Sequence, residues 1–244
     1  MILKTITFNM HHGEGNDRTL DVKRQAEFLK QYQPDVVFLQ EIDMYTKRSG
    51  NVNQIYEFSQ AIGLKYCSME TNIMLEGGYY GDGIVCRFPI DFSTNYLMPL
   101  TDITHEQRGI LRNKISFGTT KLNLFSVHLS THEEERILAA KQLNKIVKNI
   151  DKKEIIIVGG DFNVGKIRLG KGNYIYQKKD KFQEYEIIKQ ELNRLANTED
   201  TWKSENGTAC IDTMFYCDNV QLIDFKTIQT ELSDHNAVYA EYDI

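Results

Sequence analysis

The sequence predicts an α+β chain in which two mixed β-sheets pack together and helices cover their outer faces. Three observations predict it. Hydrophobic runs of strand length recur along the whole chain. Some are joined by tight turns and others by stretches of helical spacing, so antiparallel and parallel pairs both occur. The helical stretches fall into two sets, enough to cover two sheets rather than one.

The elements follow in chain order. Residues 2–9 suit a pleated strand, with Ile2, Thr5, Thr7 and Phe8. Residues 17–32 carry Val22, Ala26 and Leu29 on one side of a helix that Pro34 closes, and residues 35–40 form a buried strand ending at Glu41. A short helix over 51–62 turns Ile55, Phe58 and Ile62 inward and stops at Gly63. Residues 83–92 read as one strand in which Pro89 marks an edge or bulge. Residues 110–117 and 121–127 make a hairpin around Gly118. Thr131, Glu133 and Glu134 open a helix that runs to residue 150. The run Ile155–Val158 is a fully buried strand, and Gly159 and Gly160 let the chain turn where the sheet ends. A glycine- and lysine-rich connection spans 165–181, a helix spans 182–196, and closing strands span 209–217, 219–226 and 237–243. No linker interrupts the chain, so 1–244 is expected to be one domain. The halves 1–117 and 118–244 suit a structural repeat, although their sequences share no similarity.

Composition narrows the function classes. A net charge of −5 argues against a protein that coats nucleic acid non-specifically. Cys67, Cys86, Cys210 and Cys217 lack C-x-x-C spacing, so free thiols are expected rather than zinc or disulfides. No apolar stretch is long enough to span a bilayer and the start lacks the pattern of a secretory leader, which together predict a cytoplasmic protein without stable membrane association.

Polar residues collect at the strand ends: Asn9, Glu41, His128, then Asp161 and Asn163, with Asp212 inside an apolar strand and Ser233-Asp234-His235 before the last one. Sheet termini gather residues that are distant in sequence. Oxygen donors from Glu41, Asn9 and Asp234 suit a hard ion such as Mg²⁺, with Mn²⁺ as a substitute. Asp161 can take a proton from a water that Asn163 orients. His235, kept protonated by Asp212, can stabilise charge on a five-coordinate phosphorus, and His128 can donate to a phosphoryl oxygen. Arg108 is a candidate phosphate clamp. The sum is metal-assisted hydrolysis of a phosphate ester. Each piece has a plainer reading: strand caps for Asn9 and Glu41, a satisfied core histidine for His128, a turn for 233–235. His11, His12 and His132 read as flanking or surface residues.

In this order the segments T-F-N-M-H-H-G, L-Q-E-I-D, Y-G-D-G-I-V-C-R-F-P-I, S-V-H-L, G-G-D-F-N, C-I-D-T-M-F-Y and S-D-H-N-A-V resemble the endonuclease/exonuclease/phosphatase superfamily, the deoxyribonuclease-I-like fold. The resemblance implies a four-layer α/β-sandwich and a Mg²⁺-dependent phosphoesterase. It implies Glu41 as principal metal ligand beside Asn9, Asp161 and Asn163 as the residues that position and activate the nucleophile, and Asp234-His235 with Asp212 as the closing acid–histidine set. His128 is similar to the histidine of the deoxyribonuclease and sphingomyelinase branches. Abasic-site endonucleases differ there and carry an acid where this chain has His11. The first motif and the Arg48…Gln54 segment look most like small soluble bacterial members. Where relatives often read G-N-A, this chain reads Gly81-Asp82-Gly83, and an extra carboxylate repels phosphate unless it is protonated, turned away or metal-bound.

The expected substrate is a phosphodiester of nuclease type, with nucleic acid among the candidates. Lys166, Arg168, Lys171, Lys178, Lys179 and Lys181 against Asp180 alone suit a basic cover for a polyanion. Phosphomonoesters, phospholipids and phosphoinositides are the alternatives on the same fold, and a non-catalytic binding module is the rival from another class. No G-x-S-x-G elbow occurs, which sets a serine hydrolase aside. No protein partner is predicted.

Overall fold

The computed structural model describes residues 1–165, 167–169, 174–175, 182–204 and 207–244, with 167–169 and 174–175 as backbone only. In chain order the strands are β1 (Ile2–Asn9), β2 (Val36–Met44), β3 (Tyr66–Met69), β4 (Ile73–Leu75), β5 (Gly78–Cys86), β6 (Ile90–Leu97), β7 (Gly109–Phe117), β8 (Thr120–His128) and β9 (Ile155–Asp161). They continue as β10 (Ile167–Leu169), β11 (Tyr174–Ile175), β12 (Asn193–Arg194), β13 (Trp202–Ser204), β14 (Gly207–Ala209), β15 (Asp212–Tyr216), β16 (Gln221–Ile228) and β17 (Ala237–Asp243). The helices are α1 (Val22–Lys30), α2 (Gln54–Ile62), α3 (Glu133–Lys148) and α4 (Gln183–Ile188).

Two large mixed sheets result. The first runs β16-β17-β1-β2-β5-β3 with β4 beside β5, and the second runs β6-β7-β8-β9-β15-β12. Both show the same series of pairings: two antiparallel, one parallel, two antiparallel. The parallel pair is β1/β2 in one and β8/β9 in the other, and in each case a helix makes the crossover. The expected repeat is therefore present as topology, with a small β10, β11, β13, β14 sheet added.

Alternation along the strands explains the layers. Ile6 and Phe8 of β1, with Val37 and Leu39 of β2, pack against Val22, Ala26 and Leu29 of α1 and Ile55, Phe58 and Ile62 of α2. Leu3, Val36, Phe38 and Ile84 face the other way, into a core shared with the second sheet and with Ala139, Leu143 and Val147 of α3. The result is the sandwich of two mixed sheets flanked by helices. Helix ends follow local chemistry: Asp21 and Asn53 accept the Arg24 and Tyr56 N–H groups, and Gly63 closes α2 at φ 82°. Gly118 turns the β7–β8 hairpin at φ 57°.

Several expectations need correction. Residues 83–92 are not one strand: β5 ends at Cys86 and β6 begins at Ile90 in the other sheet. Pro89, which lacks an N–H for a ladder, sits in that crossing. The helix over 182–196 closes after Ile188, and Leu192 and Leu195 are buried from the following segment instead. Gly159 and Gly160 lie inside β9 rather than at a turn. A Cβ on Gly159 would stand 2.4 Å from the Phe38 ring, and one on Gly160 would stand 2.0 Å from the Val127 carbonyl. They are glycines because the facing sheet and the neighbouring strand come that close. The four cysteines are free thiols, as expected. Among the described residues no helix is long and apolar enough to cross a membrane. The basic side chains of 166–181 lie outside the described residues.

Candidate active site

The same alternation that builds the core delivers polar groups to one seam. Thr5 and Thr7 of β1 point between the sheets, where they meet Met214 and Gln40, so Asn9 at the end of β1 does too. Gln40 reaches across to Ser126 of β8, two residues before His128. His128 is in register with Asp161 across the parallel β8/β9 pair, and Asp161 with Asp212 across β9/β15. Strict alternation would send Glu41 toward the helices. The register between Leu39 and Ile42 instead slips, Glu41 adopts φ 60°, and its carboxylate joins the seam. Ile42 then returns to the helix-side core.

Asn9 is fully buried and its amide bridges two acids, donating to Glu41 Oε1 at 3.0 Å and to Asp161 Oδ2 at 3.2 Å. Its own oxygen accepts the His11 N–H at 3.1 Å, so the face it turns to the acids is its NH₂ group rather than the carbonyl. Asp161 receives the Asn163 N–H at 2.9 Å. Asn163 is not extended, as its spacing from Asp161 suggested. It adopts φ 50°, and its side-chain amide donates to the Leu129 carbonyl at 2.8 Å. Phe162 points into the protein against Phe215 and Tyr185. Burying that ring contributes about 2–3 kcal/mol toward fixing the turn.

Two imidazoles flank Asp161, one neutral and one cationic. Arg108 donates to His128 Nδ1 at 2.5 Å, which makes Nδ1 an acceptor and leaves the proton on Nε2, 3.4 Å from Asp161 Oδ2. Burial, with the Arg108 charge beside it, holds His128 well below its ordinary range and hence neutral. His235 Nδ1 donates to Asp212 Oδ2 at 2.9 Å, and its Nε2 lies 3.8 Å from Asp161 Oδ2. Burial opposes its charge, but the carboxylates of Asp212, Asp161 and Asp234 outweigh that and raise His235 to about 10. Asp161, buried and beside the Asp212 charge, is pushed up to about 7.

The residues also fit a hard cation. Glu41 offers a carboxylate held by the Asn9 amide, and Asp234 offers one beside the Ser233 hydroxyl, which donates to the Asn9 backbone carbonyl at 2.8 Å. The Asp212 Oδ1 atom is buried with no hydrogen-bond partner, beside Asp161; His235, protonated, has no lone pair to offer an ion, so ligation would fall to the carboxylates. These clustered carboxylates have the chemistry that suits a hard divalent ion.

Asp82 is turned away from the open side. It is buried, accepts the Glu41 N–H at 3.3 Å and lies 3.8 Å from His128 Nδ1. Burial raises Asp82 to about 6, while burial and the Asp82 charge hold Glu70 well above the carboxylate range, so Glu70 keeps a proton and hydrogen-bonds Asp82. A folded-state value above the unfolded one means that native protein binds the proton more tightly, so stability falls as pH rises from about 4 to about 6. Asp82→Asn removes that loss. At pH 8 it is expected to melt roughly 4–8 °C above wild type, an effect of about 2 kcal/mol, and near wild type at pH 4. Equal melting temperatures across the range would contradict it.

Thus Asn9, Glu41, Arg108, His128, Asp161, Asp212 and His235 form one contiguous network, with Asn163 and Asp234 at its edges. Sequence reasoning missed two members. Glu70 follows a strand-like Y-C-S-M run, where a carboxylate should have prompted a search for a partner. Trp202, the chain's single tryptophan, donates from its indole to Asp234 Oδ2 at 3.3 Å and pairs by backbone with His235. Nothing in its surrounding sequence announces that role.

The model of the endonuclease/exonuclease/phosphatase family matches residues 6–235. No curated protein matches the chain in sequence. Among solved structures, an endonuclease/exonuclease/phosphatase from Bacteroides vulgatus is 17% identical, with TM-score 0.77, covering 100% of this chain and 99% of that one. A family protein from Leptotrichia buccalis is 16% identical at TM-score 0.70, with 99% and 100% covered. D. rerio TDP2, complexed with a single-strand DNA product, is 18% identical at TM-score 0.72, with 100% and 99% covered.

Proposed function

This chain belongs to the endonuclease/exonuclease/phosphatase family, and on that premise we propose that it is a divalent-metal-dependent phosphodiesterase of nuclease type. The observation that carries the reading is the position of Asp161. It lies between a neutral histidine, a protonated histidine and an amide that ties it to Glu41. Water attacks the phosphorus in line with the leaving oxygen, Asp161, its pKa raised to about 7, takes the proton from that water, and the P–O bond to the leaving oxygen breaks, the leaving group departing as an oxyanion. Asn163 holds the Asp161 carboxylate through its N–H and so fixes the direction of attack. Charge then builds on the phosphoryl oxygens. His235, kept cationic by Asp212, and the Nε2–H of His128, kept in that tautomer by Arg108, donate to them. Glu41 and Asp234 would hold Mg²⁺ or Mn²⁺, with Asn9 fixing the Glu41 carboxylate. When bound, the ion neutralises phosphoryl charge and orients the ester. The single-strand DNA product bound to the similarly folded D. rerio TDP2 supports a diester as substrate class.

The test is hydrolysis of bis-p-nitrophenyl phosphate. Activity is expected with Mg²⁺ or Mn²⁺, to vanish with EDTA and to return when the ion is restored. Mg²⁺ is also expected to raise the melting temperature of wild type but not of Glu41→Gln, since a ligand stabilises only the state that binds it. Hydrolysis that survives the chelator would end the proposal.

A further inference from the structure

Beside the phosphoester centre lies a cleft of about 450 Å³, and His11, Asn16, Arg18, Lys203 and Asp234 are among the residues that line it. It is continuous with the centre. Asp234, an edge of the catalytic network, forms part of its wall, and His11 stands with Nδ1 3.8 Å from Asp234 Oδ1. The chain reaches this wall through a left-handed run: His11 at φ 46°, His12 at φ 43° and Gly13 at φ 90°. Three such residues in a row, two of them not glycine, are costly and persist where surrounding structure enforces them. Here the His11 N–H bonds Asn9 and the Gly13 carbonyl accepts the Asp21 N–H. Arg18, again at positive φ, then stands at the mouth with 82% of its side chain exposed.

The donors lining the cleft are cationic or amide, and their present partners are a part-buried acid, Glu14, an exposed acid, Glu231, and one backbone carbonyl. Arg18 contacts Glu14 through one nitrogen at 3.0 Å. Lys203 contacts Glu231 at 2.6 Å and the Thr230 carbonyl at 2.5 Å, and Asn16 donates to the other Glu231 oxygen at 2.6 Å. Glu231 is 76% exposed, so its ion pair contributes little and an incoming anion can replace it at small cost. A carboxylate held between a lysine and an amide, with an arginine lining the same cleft, marks chemistry that a phosphate satisfies as well or better. Asp234, the acid on the wall, is occupied by Trp202, Ser233 and His11, and on the phosphodiesterase reading it would serve the cation of the neighbouring centre.

We propose that this cleft seats a second phosphate of the substrate, adjoining the one that is cleaved. The preferred substrate is then an oligoanionic diester rather than an isolated one. Arg18 and Lys203 are the anion contacts, and neither belongs to the reacting groups. The inference rests on the phosphodiesterase reading and extends it toward substrate choice.

The test separates the two. Equilibrium binding of the thymidine dinucleotides TpT and pTpTp, with Mg²⁺ present, is measured on the Asp161→Asn protein and on the same protein carrying Arg18→Ala, Arg18→Lys or Lys203→Gln. The terminal phosphates are expected to tighten binding about tenfold, a gap that Arg18→Ala closes and Arg18→Lys largely keeps. Raising salt should narrow it as well. In the otherwise wild-type protein, Arg18→Ala should leave bis-p-nitrophenyl phosphate kinetics unchanged, because that substrate has no second phosphate. Equal affinity for the two dinucleotides, or a gap that survives both Arg18→Ala and Lys203→Gln, would overturn the cleft assignment while leaving the centre intact. Absence of bis-p-nitrophenyl phosphate hydrolysis by wild type would instead overturn the centre.

Discussion

Asp161→Asn is expected to lower kcat for bis-p-nitrophenyl phosphate by about a thousandfold at saturating Mg²⁺, with KM close to wild type. The substitution keeps the shape of the side chain and its bond from the Asn163 N–H, but removes the group that can accept a proton. The fold should not suffer. Asp161 is buried beside Asp212 and already pushed up to about 7, so an uncharged amide there relieves repulsion. A melting temperature at or above that of wild type, together with lost turnover, separates a chemical role from a structural one. A variant that retains most of its kcat would remove Asp161 as the base.

The pH profile carries the second large effect. In the proposed mechanism turnover requires Asp161 ionised and His235 protonated, which predicts a bell with limbs near 7 and near 10. A bound divalent ion draws the lower limb further down, because its charge favours the carboxylate. Asp212 is the strongest support for the His235 charge, so Asp212→Asn leaves burial opposed only by Asp161 and Asp234 and drops the upper limb toward neutral pH. Between pH 7 and 9 the variant should lose about a hundredfold in kcat/KM, with wild type nearly flat. Stability follows the same group. His235 is raised above its unfolded value of 6.5, so its contribution is complete below that pH and is lost as pH climbs toward about 10. Wild type should therefore melt progressively lower over that window, and Asp212→Asn should lack this slope. An upper limb unmoved by Asp212→Asn would exclude His235 as the charged group.

Much of this was legible in the chain, for identifiable reasons. Strand period, helix stripes and the Gly118 turn are local patterns, and they placed most of both sheets. The strand-end polar residues could be named because an acid or amide after a hydrophobic run has few other reasons to be there. What failed depends on pairing across distance. Pro89 reads as a bulge until the partner strands show that the chain changes sheets. Gly159 reads as a turn until Phe38, more than a hundred residues away, occupies the space of its missing Cβ. Glu41 could be proposed as a ligand, but the slipped register that aims it was invisible, because a bulge belongs to two strands at once. The departure at Asp82 was visible; its answer, a shared proton with Glu70, required knowing which residue it faces.

The contact between Phe38 and Gly159 has a mechanical consequence. One sheet carries Asn9 and Glu41, the other His128, Asp161 and Asp212, and in the mechanism proposed above the reacting phosphate bridges them. The distance between attacking and stabilising groups is thus a property of how tightly two slabs close, set by a ring pressed on bare backbone. A single methyl group on Gly159 would stand 2.4 Å from that ring, so ring or slab must give way, and a displacement of an ångström is enough to cost chemistry of this kind about a hundredfold.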